Sequence, residues 1–300
     1  MTDIIIVGAG PAGLTAALYA MRAGKKVLVF EALSYGGKII NALDIRNYPA
    51  IKEISGFDFA TNLYNQVKDL GCEIKFEKVI DIEDLETTKK VITTKGEYTC
   101  RAVILATGVQ NRPLNLPKEK EFIGKGISYC ATCDGAFYKE KVVAVNGGGN
   151  TAIGDALFLS EYCKKVYIIY RGDSFKRDLL LVEKLKEKDN VEFVFNSNVT
   201  KLIGKEKLEK IEITNKETKE KKELEVSCLF IAIGQIPENN NFAKLVNIDD
   251  KGYIIADESC KTNIPGIYVA GDTRVKEVRQ LTTAEADGTV AALTAVKEMK

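Results

Sequence analysis

Two cysteines in the middle of the chain carry the clearest chemistry. Cys130 and Cys133 are separated by two residues, so their oxidation would close a very small ring. In a chain with no sign of secretion, such a pair is more often a redox centre than a structural staple. Half of a zinc site is the other interpretation, but the chain has no second Cys-x-x-Cys and no histidine. The pair therefore predicts thiol–disulfide exchange.

The absence of histidine restricts the remaining chemistry. It excludes Ser-His-Asp and Cys-His hydrolysis, the zincin motifs and any histidine general acid. Proton transfer must use carboxylates, lysine, tyrosine or cysteine. The five other cysteines stand mostly next to apolar residues, and we expect them to be buried small side chains. They are Cys72, Cys100, Cys163, Cys228 and Cys260.

Length and charge narrow the class of protein. The chain has 300 residues, enough for roughly two domains of about 150 residues each. Its net charge of +1, with mixed signs throughout, indicates neither a nucleic-acid surface nor a membrane surface. No apolar run approaches the roughly 20 residues that span a bilayer. The first strand begins at Asp3, so we expect no signal peptide and a cytoplasmic location, where disulfides are transient and catalytic.

The N-terminal stretch has every part of a dinucleotide fingerprint. An apolar strand over 3–7 runs into a G-x-G-x-x-G turn, a helix over 14–23 follows, and a strand over 26–30 ends in Glu31. The glycines permit a tight turn and close phosphate approach, the helix N-terminus faces the pyrophosphate, and the acid accepts ribose hydroxyls. The turn residues in this site are Gly8, Gly10, Pro11, Ala12 and Gly13.

Three later stretches are expected to line the same cofactor. The polar region with Gly37, Lys38 and Asn47 suits a bulky tricyclic ring better than nicotinamide. A buried strand over 102–105 ends in Ala106, Thr107 and Gly108, which could lie beside the cofactor. A strand over 266–270 ends in Gly271 and Asp272, whose carboxylate can bind ribityl or ribose hydroxyls. Arg279, Gln280 and Leu281 then open a helix whose positive end can face an anionic reduced flavin.

A second glycine-rich loop follows the cysteine pair. A strand over 141–145 leads into G-x-G-x-x-A, a helix over 152–162 and a strand over 165–170. This second strand ends in basic residues rather than an acid, which suits a ribose 2′-phosphate, although a solvated basic turn is the other interpretation. The candidate residues for a nicotinamide nucleotide are Gly147, Gly149, Asn150, Thr151, Arg171, Lys176 and Arg177.

The order of these segments predicts the architecture. Short strands are expected over 73–76, 79–84, 91–94 and 98–100, and strands over 191–194, 210–214 and 224–230 are expected to complete one sheet. The charged stretch 216–225 reads as a solvated hairpin end. Gly/Pro linkers near 112 and 238 indicate that the chain leaves one domain and returns to it. We predict an α/β protein with two Rossmann-like, three-layer ββα nucleotide-binding domains, the second (113–237) inserted into the first (1–112 and 238–300).

Taken together, these motifs resemble the low-molecular-weight thioredoxin reductases over nearly the full length of the chain. The resemblance implies FAD in the discontinuous domain, thioredoxin as partner, a homodimer, and rotation of the inserted domain between two states. It further implies that Cys133 is the inner thiol facing the flavin and that Cys130 attacks thioredoxin. Asp134 follows the pair directly and is the natural general acid in a chain without histidine. Related ferredoxin–NADP reductases lack the Cys-x-x-Cys, which argues against that branch.

Departures from the family pattern leave the electron donor open. The family has His-Arg-Arg after the second strand of the inserted domain and a further arginine, where this chain has Tyr170, Arg171, Gly172 and Lys176. Lysine cannot offer a phosphate the bidentate fork of arginine. Gly154 stands where the family usually has Glu, and Lys38 where it commonly has Gln. NADPH, reduced ferredoxin as in the ferredoxin-dependent subgroup, and NADH are the candidate donors. A redox-sensing flavoprotein without turnover is an alternative of a different class.

Overall fold

The computed structural model describes residues 1–42, 45–175 and 179–299. Its strands are Thr2–Val7 (β1), Val27–Glu31 (β2), Glu73–Phe76 (β3), Val79–Leu85 (β4), Thr88–Thr93 (β5), Glu97–Leu105 (β6), Val109–Asn111 (β7), Ile127–Ser128 (β8), Val142–Asn146 (β9), Lys165–Ile169 (β10), Val191–Val194 (β11), Ser197–Ile203 (β12), Lys210–Asn215 (β13), Lys221–Glu225 (β14), Cys228–Ile231 (β15), Gln235–Pro237 (β16) and Ile267–Val269 (β17). Its α-helices are Pro11–Arg22 (α1), Gly56–Asp69 (α2), Glu119–Phe122 (α3), Ala131–Asp134 (α4), Asn150–Ser160 (α5), Leu179–Lys186 (α6) and Leu281–Glu298 (α7). Short 3₁₀ turns occupy Gly37–Asn41, Gly135–Tyr138, Asn240–Phe242 and Gly271–Thr273.

The chain divides into two compact units, one formed by 1–110 with 236–300 and the other by 111–235. These boundaries, 110/111 and 235/236, each lie two residues before the domain boundaries that the sequence predicts, 112/113 and 237/238. The two crossing segments, β7 and β16, pair with each other as a two-stranded sheet. The α/β class is confirmed, since both units contain parallel sheets with helices packed on them. Within the described ranges no helix is long and apolar enough to cross a bilayer.

The first unit is built on a sheet of order β3-β2-β1-β6-β5-β4, with β17 also beside β6. The strands β3, β2, β1, β6 and β17 are parallel, whereas β4, β5 and β6 pair antiparallel. The central strands are continuously apolar because both faces are covered. Residues of α1, α2 and α7 pack on one face, and a cluster around Ile82, Val91 and Ile254 packs on the other. This order brings the carboxyl ends of β1, β6 and β17 side by side.

The second unit has a five-stranded parallel sheet of order β11-β10-β9-β15-β8. A separate antiparallel sheet, β12-β13-β14, packs against it through an apolar cluster that includes Ile211 and Leu229. Helix α5 covers the opposite face through Ile153 and Leu159. The carboxyl ends of β9 and β10 carry the second glycine-rich loop and the turn that begins at Tyr170, and β8 ends just before the cysteine pair.

Three strand predictions were wrong. The strands over 191–194, 210–214 and 224–230 do not complete one sheet, because β11 lies in the parallel sheet and β13 in the antiparallel sheet. The stretch 224–230 is itself two strands, since β14 belongs to the antiparallel sheet and β15 to the parallel sheet. The sequence changes character there, from the charged strand β14, which is exposed at every residue except Leu224, to the fully buried Cys228–Ile231. Conversely, the expected strands over 98–100 and 102–105 are one strand, since β6 pairs first with β5 and then with β17 without a break.

Candidate functional site

The first glycine-rich loop is a tight backbone turn between β1 and α1. Gly8 has φ +110°, and a Cβ placed there would lie 2.3 Å from the carbonyl oxygen of Ala106. A Cβ on Gly13 would lie 1.9 Å from the carbonyl oxygen of Gly8. Helix α1 then begins at Pro11, after Gly10 as an N-cap without a side-chain hydrogen bond. The loop therefore leaves the first amides of α1 directed to an anionic ligand.

Glu31 and the 3₁₀ turn after Gly36 hold this loop in place. One carboxylate oxygen of Glu31 accepts a hydrogen bond from the Ala9 amide at 2.8 Å, and the other accepts one from the Leu33 amide at 2.9 Å. The Gly36 amide donates to the Ala9 carbonyl oxygen at 2.8 Å. A Cβ on Gly37 would lie 3.3 Å from the Gly10 Cα, so Gly37 rests directly on the turn.

Asp272 brings a buried carboxylate with a free oxygen to the same place. Its Oδ2 lies 3.8 Å from the Lys38 ammonium, while its Oδ1 is buried and has no hydrogen-bond partner among the described residues. Burial raises the pKa of Asp272, and the neighbouring Lys38 charge opposes this rise. Burial also lowers the pKa of Lys38, against the attraction of Asp272. A buried acceptor without a donor calls for a ligand hydroxyl.

Side-chain contacts connect the later segments of the chain that approach this loop. The Arg279 guanidinium lies 4.2 Å over the ring of Tyr253 and donates to the Asp272 carbonyl oxygen at 3.1 Å. Gln280 is the N-cap of α7, which begins at Leu281, and its side chain accepts a hydrogen bond from Asn47 at 3.3 Å.

The loop after β6 is tied to the loop after β17. The Thr107 hydroxyl lies 2.9 Å from the Thr273 hydroxyl, and a Cβ on Gly271 would lie 2.8 Å from the Cβ of Ala12. The first unit thus brings the sequence-predicted residues of 8–13, 31, 37–38, 47, 106–108, 271–272 and 279–281 to one edge of its sheet.

The cysteine pair lies in the second unit, at the start of a short helical segment. Cys130 and Cys133 form a disulfide with a Cα–Cα distance of 5.3 Å. Both residues are half-buried, and Thr132 between them is exposed. The other five cysteines are buried free thiols, as expected. The exposed edge of this disulfide can therefore be reached by another molecule.

Asp134 is held against the pair by a serine that sequence reasoning missed. The Ser128 hydroxyl donates to Asp134 Oδ2 at 2.6 Å and accepts a hydrogen bond from the Cys130 amide at 3.1 Å. Burial raises the pKa of Asp134, and the hydrogen bond from Ser128 lowers it in part. The only signal in the sequence was a hydroxyl two residues before Cys130, at the end of β8.

The second glycine-rich loop repeats the backbone turn of the first. Gly147 has φ +153°, and a Cβ placed there would lie 2.3 Å from the carbonyl oxygen of Ala232. Helix α5 begins at Asn150 after Gly149, an N-cap without a side-chain hydrogen bond. Gly149, Asn150 and Thr151 are exposed. The backbone of this loop is thus competent to receive an anionic ligand.

The side chains around the second loop differ from those around the first. Tyr170 takes the position after β10, and a Cβ on Gly148 would lie 2.2 Å from its ring. Arg171 is exposed, and its carbonyl oxygen accepts a hydrogen bond from Lys216 at 3.2 Å. The two other basic candidates, Lys176 and Arg177, lie outside the described residues. An aromatic ring therefore lies on this loop.

Comparison with known proteins gives consistent matches over nearly the whole chain. The profile of the pyridine nucleotide-disulphide oxidoreductases matches residues 2–288. A thioredoxin reductase of Mycoplasma genitalium is 42% identical over 97% of this chain and 93% of its own length. A 34.2 kDa protein in the rubredoxin operon of Clostridium pasteurianum is 40% identical over 98% and 96%. The crystal structure of thioredoxin reductase from Streptococcus pyogenes superposes with a TM-score of 0.94 at 36% identity, covering 100% of this chain and 99% of the other.

Proposed function

Because this chain belongs to the low-molecular-weight thioredoxin reductases, within the pyridine nucleotide-disulphide oxidoreductase family, we propose that it reduces the disulfide of a thioredoxin. The observation that carries the proposal is the half-buried Cys130–Cys133 disulfide beside the hydrogen-bonded carboxyl of Asp134. A dithiol protein can approach such a disulfide, and the carboxyl can move the protons that exchange requires.

Membership of this family implies FAD, and the residues of the first unit fit that group. The Oδ1 of Asp272, which has no hydrogen-bond partner in the described part of the chain, suits a ribityl hydroxyl, and the start of α1, whose N-cap is a glycine, suits the pyrophosphate. When bound, FAD supplies the electron pair that reduces the Cys130–Cys133 disulfide. We therefore assign FAD to the unit 1–110 with 236–300, and the pyridine-nucleotide-type fold with the disulfide to 111–235. We also expect a homodimer, which sedimentation analysis of the FAD-loaded protein would test.

The exchange itself balances within the two proteins. Reduction adds two electrons and two protons to the disulfide and leaves thiols at Cys130 and Cys133. The Cys130 thiolate attacks the thioredoxin disulfide, which forms a mixed disulfide and releases one thioredoxin thiolate. The Cys133 thiolate then attacks the Cys130 sulfur, restores the intramolecular disulfide and releases the second thioredoxin thiolate. Two electrons and two protons have passed to thioredoxin.

Asp134 is proposed as the group that holds and returns the protons of this exchange. Burial raises the pKa of its carboxyl, which favours a form that can carry a proton. Ser128 fixes the carboxyl because its hydroxyl contacts both Asp134 and the Cys130 amide. We expect Ser128 to act as a positioning residue for the acid.

The roles of the two cysteines can be tested by trapping. A thioredoxin with only its attacking cysteine is converted to its mixed disulfide with thionitrobenzoate, a coloured leaving group. Cys133→Ser retains the Cys130 thiol, and we expect stoichiometric release of colour and a covalent complex on a non-reducing gel. Cys130→Ser should react far more slowly, and Cys163→Ser, which removes a buried thiol, should leave turnover unchanged. No complex with Cys133→Ser, together with no turnover by the unmodified protein, would favour a redox sensor.

For the electron donor, we propose reduced ferredoxin, with NADPH as the other candidate. The Tyr170 ring lies against Gly148 of the second loop, and Arg171 is the only basic side chain in the described part of the turn 170–175. Two reduced ferredoxins would supply the electron pair. NADPH is the second candidate, supported by the intact G-x-G-x-x-A turn and the exposed Arg171.

An anaerobic titration of the FAD-loaded protein distinguishes these donors. We expect reduced ferredoxin to bleach the oxidised flavin absorbance stoichiometrically and NADPH or NADH to bleach it slowly or not at all. Rapid, stoichiometric bleaching by NADPH would instead make this an NADPH-dependent thioredoxin reductase.

A further inference from the structure

The ring of Tyr170 is enclosed between two glycines of the second unit. A Cβ on Gly148 would lie 2.2 Å from ring atoms Cδ2 and Cε2, and a Cβ on Gly172 would lie 2.6 Å from Cε1. Both distances are shorter than any van der Waals contact, so each glycine gives the ring space that no other residue would leave. The ring therefore lies directly on the middle residue of the second glycine-rich loop.

The ring is held there by other aromatic side chains. Tyr170 stacks on Phe175 with ring centroids 5.4 Å apart and planes inclined by 7°. Phe175 is buried and meets the rings of Phe193 and Phe195 edge-on at 5.7 and 5.3 Å. On the backbone, the Tyr170 amide donates to the Val194 carbonyl oxygen at 3.0 Å. Moving the ring off the loop would expose part of this cluster to water, which costs free energy.

The place that the ring covers is where a dinucleotide would bind. In a βαβ unit the pyrophosphate approaches the glycine-rich loop, and the adenosine ribose lies near the end of the second strand. Glu31 has this position in the first unit, and its carboxylate supports the loop without covering a glycine. We propose that the Tyr170 ring closes the second loop against the adenosine end of a pyridine dinucleotide and so determines whether NADP(H) binds.

The geometry also couples Tyr170 to Gly172. Any side chain at 172 would meet the ring within 2.6 Å, so a cation for a 2′-phosphate cannot be placed there while the ring stays. Gly172→Arg alone should therefore not improve NADP⁺ binding. Removal of the ring should improve it, and the two changes together should improve it further than their separate effects predict.

The test is a calorimetric titration of the oxidised, FAD-loaded protein with NADP⁺, which measures binding without turnover. For the unmodified protein we expect a Kd above about 1 mM. Tyr170→Ser should bind at least about tenfold more tightly, and Tyr170→Phe, which retains the ring, should bind like the unmodified protein. Tyr167→Ser is the matched control, because it removes a ring from the same strand. If Tyr170→Ser shows no cooperative thermal transition, and so is not folded, Tyr170→Leu is titrated in its place.

Two results would overturn this inference: micromolar NADP⁺ binding by the unmodified protein, or a folded Tyr170→Ser or Tyr170→Leu that binds no better than Tyr167→Ser. The role of Tyr170 extends the proposed function, and its consequence for the choice of electron donor rests on that function. The role of Tyr170 and the proposed function can fail separately, because thioredoxin reduction by dithionite-reduced, FAD-loaded protein tests the disulfide chemistry without any pyridine nucleotide. If that reaction proceeds while ring removal has no effect on NADP⁺ binding, only the role of Tyr170 is wrong.

Discussion

The two glycine-rich loops of this protein share a backbone and differ in the side chains around it. The first glycine of each, Gly8 or Gly147, has a positive φ and lies against a carbonyl oxygen, that of Ala106 or Ala232, with the same 2.3 Å approach of a hypothetical Cβ. Each helix that follows starts with an N-cap lacking a side-chain hydrogen bond. At the end of the neighbouring strand, however, the first loop has Glu31 and the second has Tyr170.

This difference shows that the glycine pattern specifies a turn and leaves the ligand to other residues. The first loop receives Asp272 and Arg279 from the C-terminal segment, and Asp272 brings a buried oxygen to which no described residue is hydrogen-bonded. The second loop receives an aromatic ring in van der Waals contact with its middle glycine. A phosphate-binding turn and a closed turn can thus have nearly the same sequence fingerprint.

The largest expected effect is at Gly13 of the first loop, because the second loop already has an alanine, Ala152, at the corresponding position. Gly13→Ala places a Cβ 1.9 Å from the Gly8 carbonyl oxygen, whereas the Cβ of Gly149→Ala meets no atom of a described residue within 4 Å. We expect Gly13→Ala to cost about 3 kcal/mol and to lose FAD. Gly149→Ala should cost less than about 1 kcal/mol, since alanine is a poorer N-cap than glycine. Flavin content after purification and the urea midpoint are measured for both variants. An unchanged flavin content and midpoint in Gly13→Ala would show that the first loop tolerates the alanine that the second loop has.

A second prediction concerns the helices behind the loops. Asp155 in α5 corresponds to the fully buried Ala16 in α1, and burial raises the pKa of Asp155 to about 6. A raised carboxyl pKa means that the folded state binds the proton more tightly than the unfolded state, so stability from this group is lost as pH rises towards about 6. Thermal midpoints measured from about pH 4 to about pH 7 should fall less for Asp155→Asn than for the unmodified protein.

The control for that experiment is Asp189→Asn, an exposed aspartate of the same unit. Its midpoints should follow those of the unmodified protein at every pH. If Asp155→Asn does the same, the Asp155 carboxyl is not desolvated in solution.

The smallest expected effect is at Gly154, which stands where Thr15 lies in α1. A Cβ on Gly154 meets nothing within 4 Å, so Gly154→Ala should raise helix stability by up to about 1 kcal/mol. Gly288→Ala is the matched control in another helix, because its Cβ would lie 2.2 Å from the Ala12 carbonyl oxygen and should destabilise the protein. Urea midpoints of the two variants should move in opposite directions, and a loss of stability in Gly154→Ala would point to a role of this glycine in packing.

Much of the architecture could be read from local pattern. Continuous apolar runs such as 3–7 and 102–105 predict buried parallel strands, and the structure has them in β1 and β6. The stretch 224–230 was misread because it is apolar enough for one strand, while its division between two sheets depends on distant partners. Ser128 was missed for a similar reason, since its contact with Asp134 depends on how β8 enters the helical segment.

The sequence by itself determined the two nucleotide-type turns, the cysteine pair and the insertion of one unit into the other, because each depends on short-range spacing and strand periodicity. Only the tertiary structure decided that Asp272 keeps a buried oxygen without a partner in the ranges 1–42, 45–175 and 179–299, and that Tyr170 lies on Gly148. The physical reason is that a ligand site is formed by side chains that meet from separate segments, and whether they offer a free polar atom or a packed ring depends on burial that no local pattern encodes.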